Sequence, residues 1–214
     1  MLIIHGRATS SNVQPVVWLA AELGLDFERR DVGGSFGGTD TDAYRAMNPM
    51  GLVPAIEDDA VKMFESQAIL RYLGARYGED TLWPADPAKR AVPDTWMEWT
   101  KTTIAPNVIY KIFWQLVRTA KADRDHAMLN AGIEAAKTLM PIADARLARH
   151  EWLAGEAMTL ADFSFGTTLY RYFTLDFERA DLPHLRAYYD RLCARPAYAE
   201  HAMVSYEPLR VAGS

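Results

Sequence analysis

The sequence predicts two units in tandem: an α/β domain of order β-α-β-α-β-β-α over residues 1–80, then an all-helical domain over residues 94–214. Short apolar or alternating runs of strand length are confined to the first part of the chain, where they interleave with stretches of helical spacing. Pro84, Pro87 and Pro93 crowd together after it and mark residues 81–93 as a stiff connector. Beyond them, apolar residues recur at helical spacing almost to the end.

Leu2-Ile3-Ile4-His5 is apolar enough to lie in the middle of a sheet, and Gly6 to Ser11 is a polar turn. From Asn12 to Leu23, the residues Val13, Val16, Val17, Ala20 and Leu23 form one helix face, with Pro15 in the first turn and Gly24 just past the end. Phe27 to Val32 alternates as a second strand. The glycine-rich loop Gly33 to Asp42 lacks both the Lys-Ser/Thr of a phosphate-binding loop and GxGxxG spacing, so it reads as a mobile flap beside a site. Asp42 to Met47 is a short helix. A strand is then entered through Val53-Pro54, where proline fits a bend and a cis bond is cheap. After a turn at Asp58-Asp59, Val61 to Phe64 is a further strand, and a helix runs from Ser66 to Tyr77, closed by Gly78. This order is the thioredoxin-like layout.

In the second domain, Asp94 to Thr119 is expected as a helix softly interrupted at Pro106, and Arg124 to His150 as a helix kinked at Pro141. Thr159 and Asp162 stand as N-cap and third residue of another helix, an aspartate version of the capping box, with Met158 and Phe163 placed for a hydrophobic staple. Leu182 to Ala194 is a further helix, followed by Arg195-Pro196-Ala197-Tyr198.

A net charge of −5 gives no electrostatic reason to expect nucleic acid or an anionic membrane as partner. No apolar run approaches the ~20 residues that span a bilayer. The single cysteine, Cys193, fits a reducing compartment, with the cytoplasm as default, and on its apolar helix it reads as inert. His5, His126, His150, His184 and His201 show no metal-ligand spacing, so no metal site is expected.

The chemistry points to one stretch. Unpaired backbone beside Val53-Pro54 can take up an extended peptide. Glu65 and Ser66 stand at a helix N-terminus, where free N–H groups favour a carboxylate. Together they suit a small zwitterionic peptide. The runs N-P-x-G-x-V-P-A-I (Asn48–Ile56), E-S-Q-A-I-L-R-Y-L (Glu65–Leu73) and L-A-G-x-x-x-T-L-A-D-F (Leu153–Phe163) resemble the cytosolic glutathione transferases, in particular bacterial, serine-type, theta/nu-like members. The resemblance covers nearly the whole chain.

It implies glutathione as co-substrate, a homodimer and a role in detoxification. It assigns the backbone of Val53, beside Pro54, to the cysteinyl part of glutathione. Glu65 and Ser66 would hold the γ-glutamyl end, with Gln67 where related bacterial sequences often carry Asn. The sulfur contact would come from the turn Arg7 to Asn12, which has no tyrosine or cysteine. Ser10 is the first choice, Ser11 the second and more naturally a helix cap, and Asn12 a further donor. Leu52 and Pro15 replace basic residues of relatives that can meet the glycyl carboxylate, a loss that Arg7 or Arg71 could offset.

The acceptor pocket would draw on Trp99, Tyr110, Phe113 and Trp114, with Arg118 near. The implied activity is attack of a stabilised thiolate on an electrophilic, apolar substrate. Alternatives on the same scaffold are a glutathione-dependent isomerase, dehalogenase, or peroxidase/disulfide reductase, and a non-catalytic glutathione-binding protein.

Overall fold

The computed structural model describes residues 1–78, 80 and 82–214, so Thr81, the expected first residue of the connector, lies outside the described residues. Buried Leu2 and Ile4 put β1 (Leu2–His5) inside a four-stranded sheet. It pairs in parallel with β2 (Phe27–Arg30) and antiparallel with β3 (Ala55–Asp58), which pairs antiparallel with β4 (Val61–Phe64), in the order β2-β1-β3-β4. The parallel pair requires a crossover, supplied by α1 (Gln14–Glu22). α2 (Asp42–Met47) and α3 (Ser66–Tyr77) begin and end where the sequence placed them. The first helix starts later than expected because Ser10 C=O accepts from Val13 N–H and Gln14 N–H, both at 3.0 Å, and holds Ser11 and Asn12 in a turn.

The proline-rich stretch is an irregular connector only as far as Asp86. α4 (Pro87–Trp99) begins at Pro87, whose missing N–H would have no partner in a first turn, and the Asp86 carboxylate accepts from Ala88 N–H at 2.9 Å. Pro93 sits inside the helix, so residues 87–93 are helical and not extended. α4 continues through π-helical turns at Thr100–Ile104 and Pro106–Phe113 into α5 (Trp114–Val117). Pro106 has no N–H to donate back along the helix, and the Asn107 side-chain amide donates to Thr103 C=O at 2.8 Å. α6 (His126–Leu147) runs through Pro141 without ending there, and α7 (Leu160–Thr174), α8 (Pro183–Cys193) and α9 (Pro196–His201) follow.

α7 is the pillar of the molecule. Its cap is Thr159, whose N–H donates to the Asp162 carboxylate at 2.8 Å; that buried carboxylate also accepts from Leu153 N–H and the Tyr188 hydroxyl. Trp18 of α1 packs 4.3 Å from Phe163 of α7 and 4.8 Å from Tyr198 of α9, by ring centroids. The approach needs Gly166: a Cβ there would stand 2.9 Å from Leu192 and 3.1 Å from Trp18. Polar links cross the same seam, from Gln67 to Ser164 at 3.0 Å, Arg71 to Asp94 at 2.9 Å and Arg171 to Thr9 C=O at 2.8 Å. Among the described residues, no helix is long and apolar enough to cross a membrane.

Candidate functional site

A cleft of about 600 Å³ opens between the sheet end of the first domain and the π-helical turns of the second. Its floor is the turn after β1. There Ser10 N–H donates to Arg7 C=O at 3.1 Å, while Ser10 Oγ accepts from Asn12 N–H at 3.4 Å. The oxygen is thus held by a donor, and the hydroxyl proton is committed to no acceptor among the described residues. Ser11 also borders the cleft but is not the helix cap expected of it; that position is Val13, and the turn is closed by Ser10. Asn12 Oδ1 accepts from Lys101 Nζ at 3.0 Å, which leaves the Asn12 amide hydrogens free to face the cleft. Burial lowers the Lys101 pKa, and the charge of Glu65 opposes that shift.

One wall is the lead-in to β3. The Val53-Pro54 bond is cis. Leu52 C=O accepts from the Tyr44 hydroxyl and the Asn48 side-chain amide, both at 2.7 Å, and this pins the segment. Neither N–H nor C=O of Val53 is hydrogen-bonded among the described residues, an open valence that a ligand backbone would close. β3 itself is an interior strand, so the available edge is the segment before it and not the strand.

At the far end of β4, Glu65 adopts φ +71°, a left-handed conformation uncommon for glutamate and characteristic of functional positions. It is the cap residue of α3, and Ser66 is the first helical residue, buried beside the free N–H groups of the first turn.

The opposite wall brings in Tyr110, Phe113 and Trp114, but not Trp99, which is half-buried elsewhere against Trp96 at 5.1 Å and Phe165 at 5.8 Å. In an α-helix, Trp99 and Tyr110 would share a face, because about eleven residues make three turns. The wider π turns between them rotate Trp99 away. Gln67 is likewise not on the main cleft; it faces an adjoining crevice and donates to Ser164.

The cleft's charges were only partly legible. Arg71 is turned away to pair with Asp94 and Glu98, and Pro15 is buried in the first turn of α1. Leu52 stays exposed on the rim. Arg7 and Arg118 do border the cleft, joined by Lys101 and Arg171, which sequence reasoning missed. The available signal for Arg171 was a lone arginine within the apolar and aromatic run L-Y-R-Y-F. Glu65 is the carboxylate facing these cations. Among the described residues, no cluster of three or more His, Cys, Asp or Glu could hold a metal ion.

Residues 4–81 match the family described as glutathione S-transferase, N-terminal domain, and residues 104–196 match glutathione S-transferase, C-terminal domain. The sequence is 35% identical to glutathione S-transferase GstB of Escherichia coli over 95% of this chain and 99% of that protein. It is 32% identical to glutathione S-transferase 3 of Zea mays over 92% of this chain and 91% of that one. Among solved structures, a theta-class glutathione S-transferase from Xanthomonas axonopodis pv. citri, with glutathione bound, superposes with a TM-score of 0.90 at 45% identity, covering 95% of this chain and 98% of that one.

Proposed function

The chain belongs to the glutathione S-transferase family, and from that premise we propose how its cleft holds glutathione and activates the sulfur. The carrying observation is that one cleft joins Ser10, the unpaired backbone of Val53, and Glu65-Ser66 at the start of α3. The open N–H and C=O of Val53 pair with the cysteinyl backbone. The γ-glutamyl ammonium meets the Glu65 carboxylate, and its carboxylate meets Ser66 and the free N–H groups of α3. On the Leu52 side, where a basic residue is missing, the Arg45 guanidinium lies next to Gly51 and is available to the glycyl carboxylate.

The sulfur then lies over the turn after β1. A serine hydroxyl is too weak an acid to serve as base near neutrality, so its part is to donate a hydrogen bond to the thiolate. Ser10 has a proton to give, Asn12 adds an amide donor, and Lys101 behind it adds positive charge. Each favours the anion over the thiol, whose free pKa is ~8.5. The thiolate attacks an electrophilic carbon held against Tyr110, Phe113 and Trp114. Residues 1–80 thus bind glutathione and residues 94–214 line the acceptor side. A homodimer working in the cytoplasm in detoxification completes the proposal, supported by the family resemblance and, for the compartment, by the single cysteine. Sedimentation velocity tests the dimer.

The test of the site is a calorimetric titration with glutathione, followed by a pH titration of the thiolate absorbance of the complex. Binding with a thiol pKa clearly below ~8.5 is expected. Absence of binding, or a bound thiol that titrates like the free one, overturns the reading.

A further inference from the structure

The acceptor half of the cleft is aromatic, as expected, but it is not simply apolar. Arg7 from the turn after β1, Arg118 from the end of α5 and Arg171 from α7 all border it. Among the described residues, none of the three is ion-paired, and the cleft's carboxylate, Glu65, is coupled to Lys101 instead. We propose that the acceptor substrate carries an anionic group, a carboxylate or its equivalent, beside its electrophilic carbon, and that Arg118 and Arg171 hold that group with Arg7 closing over it. This rests on the reading above that a glutathione thiolate is the nucleophile here.

Arg171 is the most deeply buried of the three cations. It is 2% exposed, and one guanidinium nitrogen donates to Thr9 C=O at 2.8 Å. Its Nε and Nη1 are buried with no hydrogen-bond partner among the described residues. A buried guanidinium with open donors is costly unless an acceptor arrives. Burial lowers its pKa to about 10, with the charges of Arg7 and Arg118 adding to the shift, so it remains a cation at neutral pH. Arg7 is lowered in the same sense by burial and by Arg118. Three mutually repelling cations at one end of a cleft, in a chain of net charge −5, favour an anion as the ligand that settles there.

The aromatic rings fit the same ligand. Arg171 lies 4.5 Å over the Phe113 ring and Arg118 lies 5.1 Å over Trp114. Stacking of this kind leaves the guanidinium edges free for bidentate contact with a carboxylate while the rings cover the apolar part.

The test compares para-chloro-meta-nitrobenzoate with the amide of the same acid, both conjugated to glutathione by displacement of chloride. In each, the C–S bond forms, the C–Cl bond breaks, chloride leaves with the electron pair, and the thiol proton goes to solvent. The amide shares any stabilisation of negative charge developing on the ring, so the comparison isolates the carboxylate.

With each kcat/KM divided by its uncatalysed rate, the acid is expected to be preferred by about tenfold or more. Arg118→Met, at an exposed position tolerant of substitution, is expected to cut that preference by about tenfold. Arg118→Glu is expected to invert it. A preference near unity in the natural enzyme, or one unmoved by Arg118→Met, overturns the proposal. So does a rise in the KM for glutathione at an unchanged preference, which would give these cations to glutathione itself. Turnover of neutral chlorodinitrobenzene without preference for the acid defeats this inference alone. No glutathione binding and no turnover of any electrophile defeats the proposed function, and this inference with it.

Discussion

Ser10 and Ser11 are chain neighbours on the same cleft, but their surroundings differ. Ser10 Oγ is fixed by Asn12 N–H, while Ser11 has no such partner among the described residues. Ser10→Ala is expected to raise the pKa of bound glutathione by about one to two units, ~1.4 to 2.8 kcal/mol, with little change in binding. The rate at neutral pH then falls roughly ten- to a hundredfold and recovers in part as pH rises. Thiolate absorbance decides between the two: a shift on Ser11→Ala and none on Ser10→Ala would reverse the assignment. Lys101→Met removes the group that turns Asn12, together with a nearby positive charge, and should raise the same pKa by up to about one unit. No shift in that variant would leave Lys101 a packing residue. Cys193 is a different case, since burial pushes its thiol up and it stands at the end of α8, outside the lining of the cleft. Cys193→Ser should keep turnover, and loss of activity in a folded variant would contradict thiolate chemistry at Ser10.

At the scale of elements, α7 depends on one carboxylate. Asp162 serves Thr159 N–H, Leu153 N–H and the Tyr188 hydroxyl, so Asp162→Ala leaves these buried donors without an acceptor. Each such loss costs about 1–3 kcal/mol. Burial also pushes the Asp162 carboxyl up, and removing that desolvation returns part of the loss. A net destabilisation of about 2–4 kcal/mol in urea unfolding is expected. A variant as stable as the parent would show that α7 is held by packing alone. Gly166→Ala addresses that packing directly: its methyl meets Leu192 at 2.9 Å and the Trp18 ring, for an expected cost of about 1–3 kcal/mol. The π turns set which aromatic side chains of one long helical run reach the cleft.

For the whole molecule, the seam between the two domains is part of the core. Trp18 is buried against Phe163 and Tyr198, and Arg171 reaches across to the turn that carries Ser10. Neither domain can separate without exposing Trp18 and orphaning Gln67, Ser164 and Arg171. Scanning calorimetry should therefore show one transition, with calorimetric and van't Hoff enthalpies in agreement for the folded unit. Two resolved transitions would mean that the seam is weaker than its contacts indicate. The same seam places cations from both domains around one cleft, which draws anions to a protein that is acidic overall.

What was legible in the sequence was set by rules that act over a few residues. Turn chemistry and side-chain period marked the strands, the cis Val53-Pro54 bond, the start of α3 at Ser66 and the capping box at Thr159 and Asp162. Proline was the weak point of that reading, since Pro87 and Pro93 joined a helix whose first turn needs no N–H from Pro87. The rest depended on what packing brings together. Trp99 is absent from the cleft wall because π turns change the angular register between it and Tyr110. Ser10, Lys101 and Arg171 border one cleft because α7 packs both against α1, at Trp18 and Phe163, and against α4. Whether a guanidinium faces solvent, a carboxylate or an empty cleft depends on neighbours from about twenty to more than a hundred and sixty positions away, and only tertiary structure decided that.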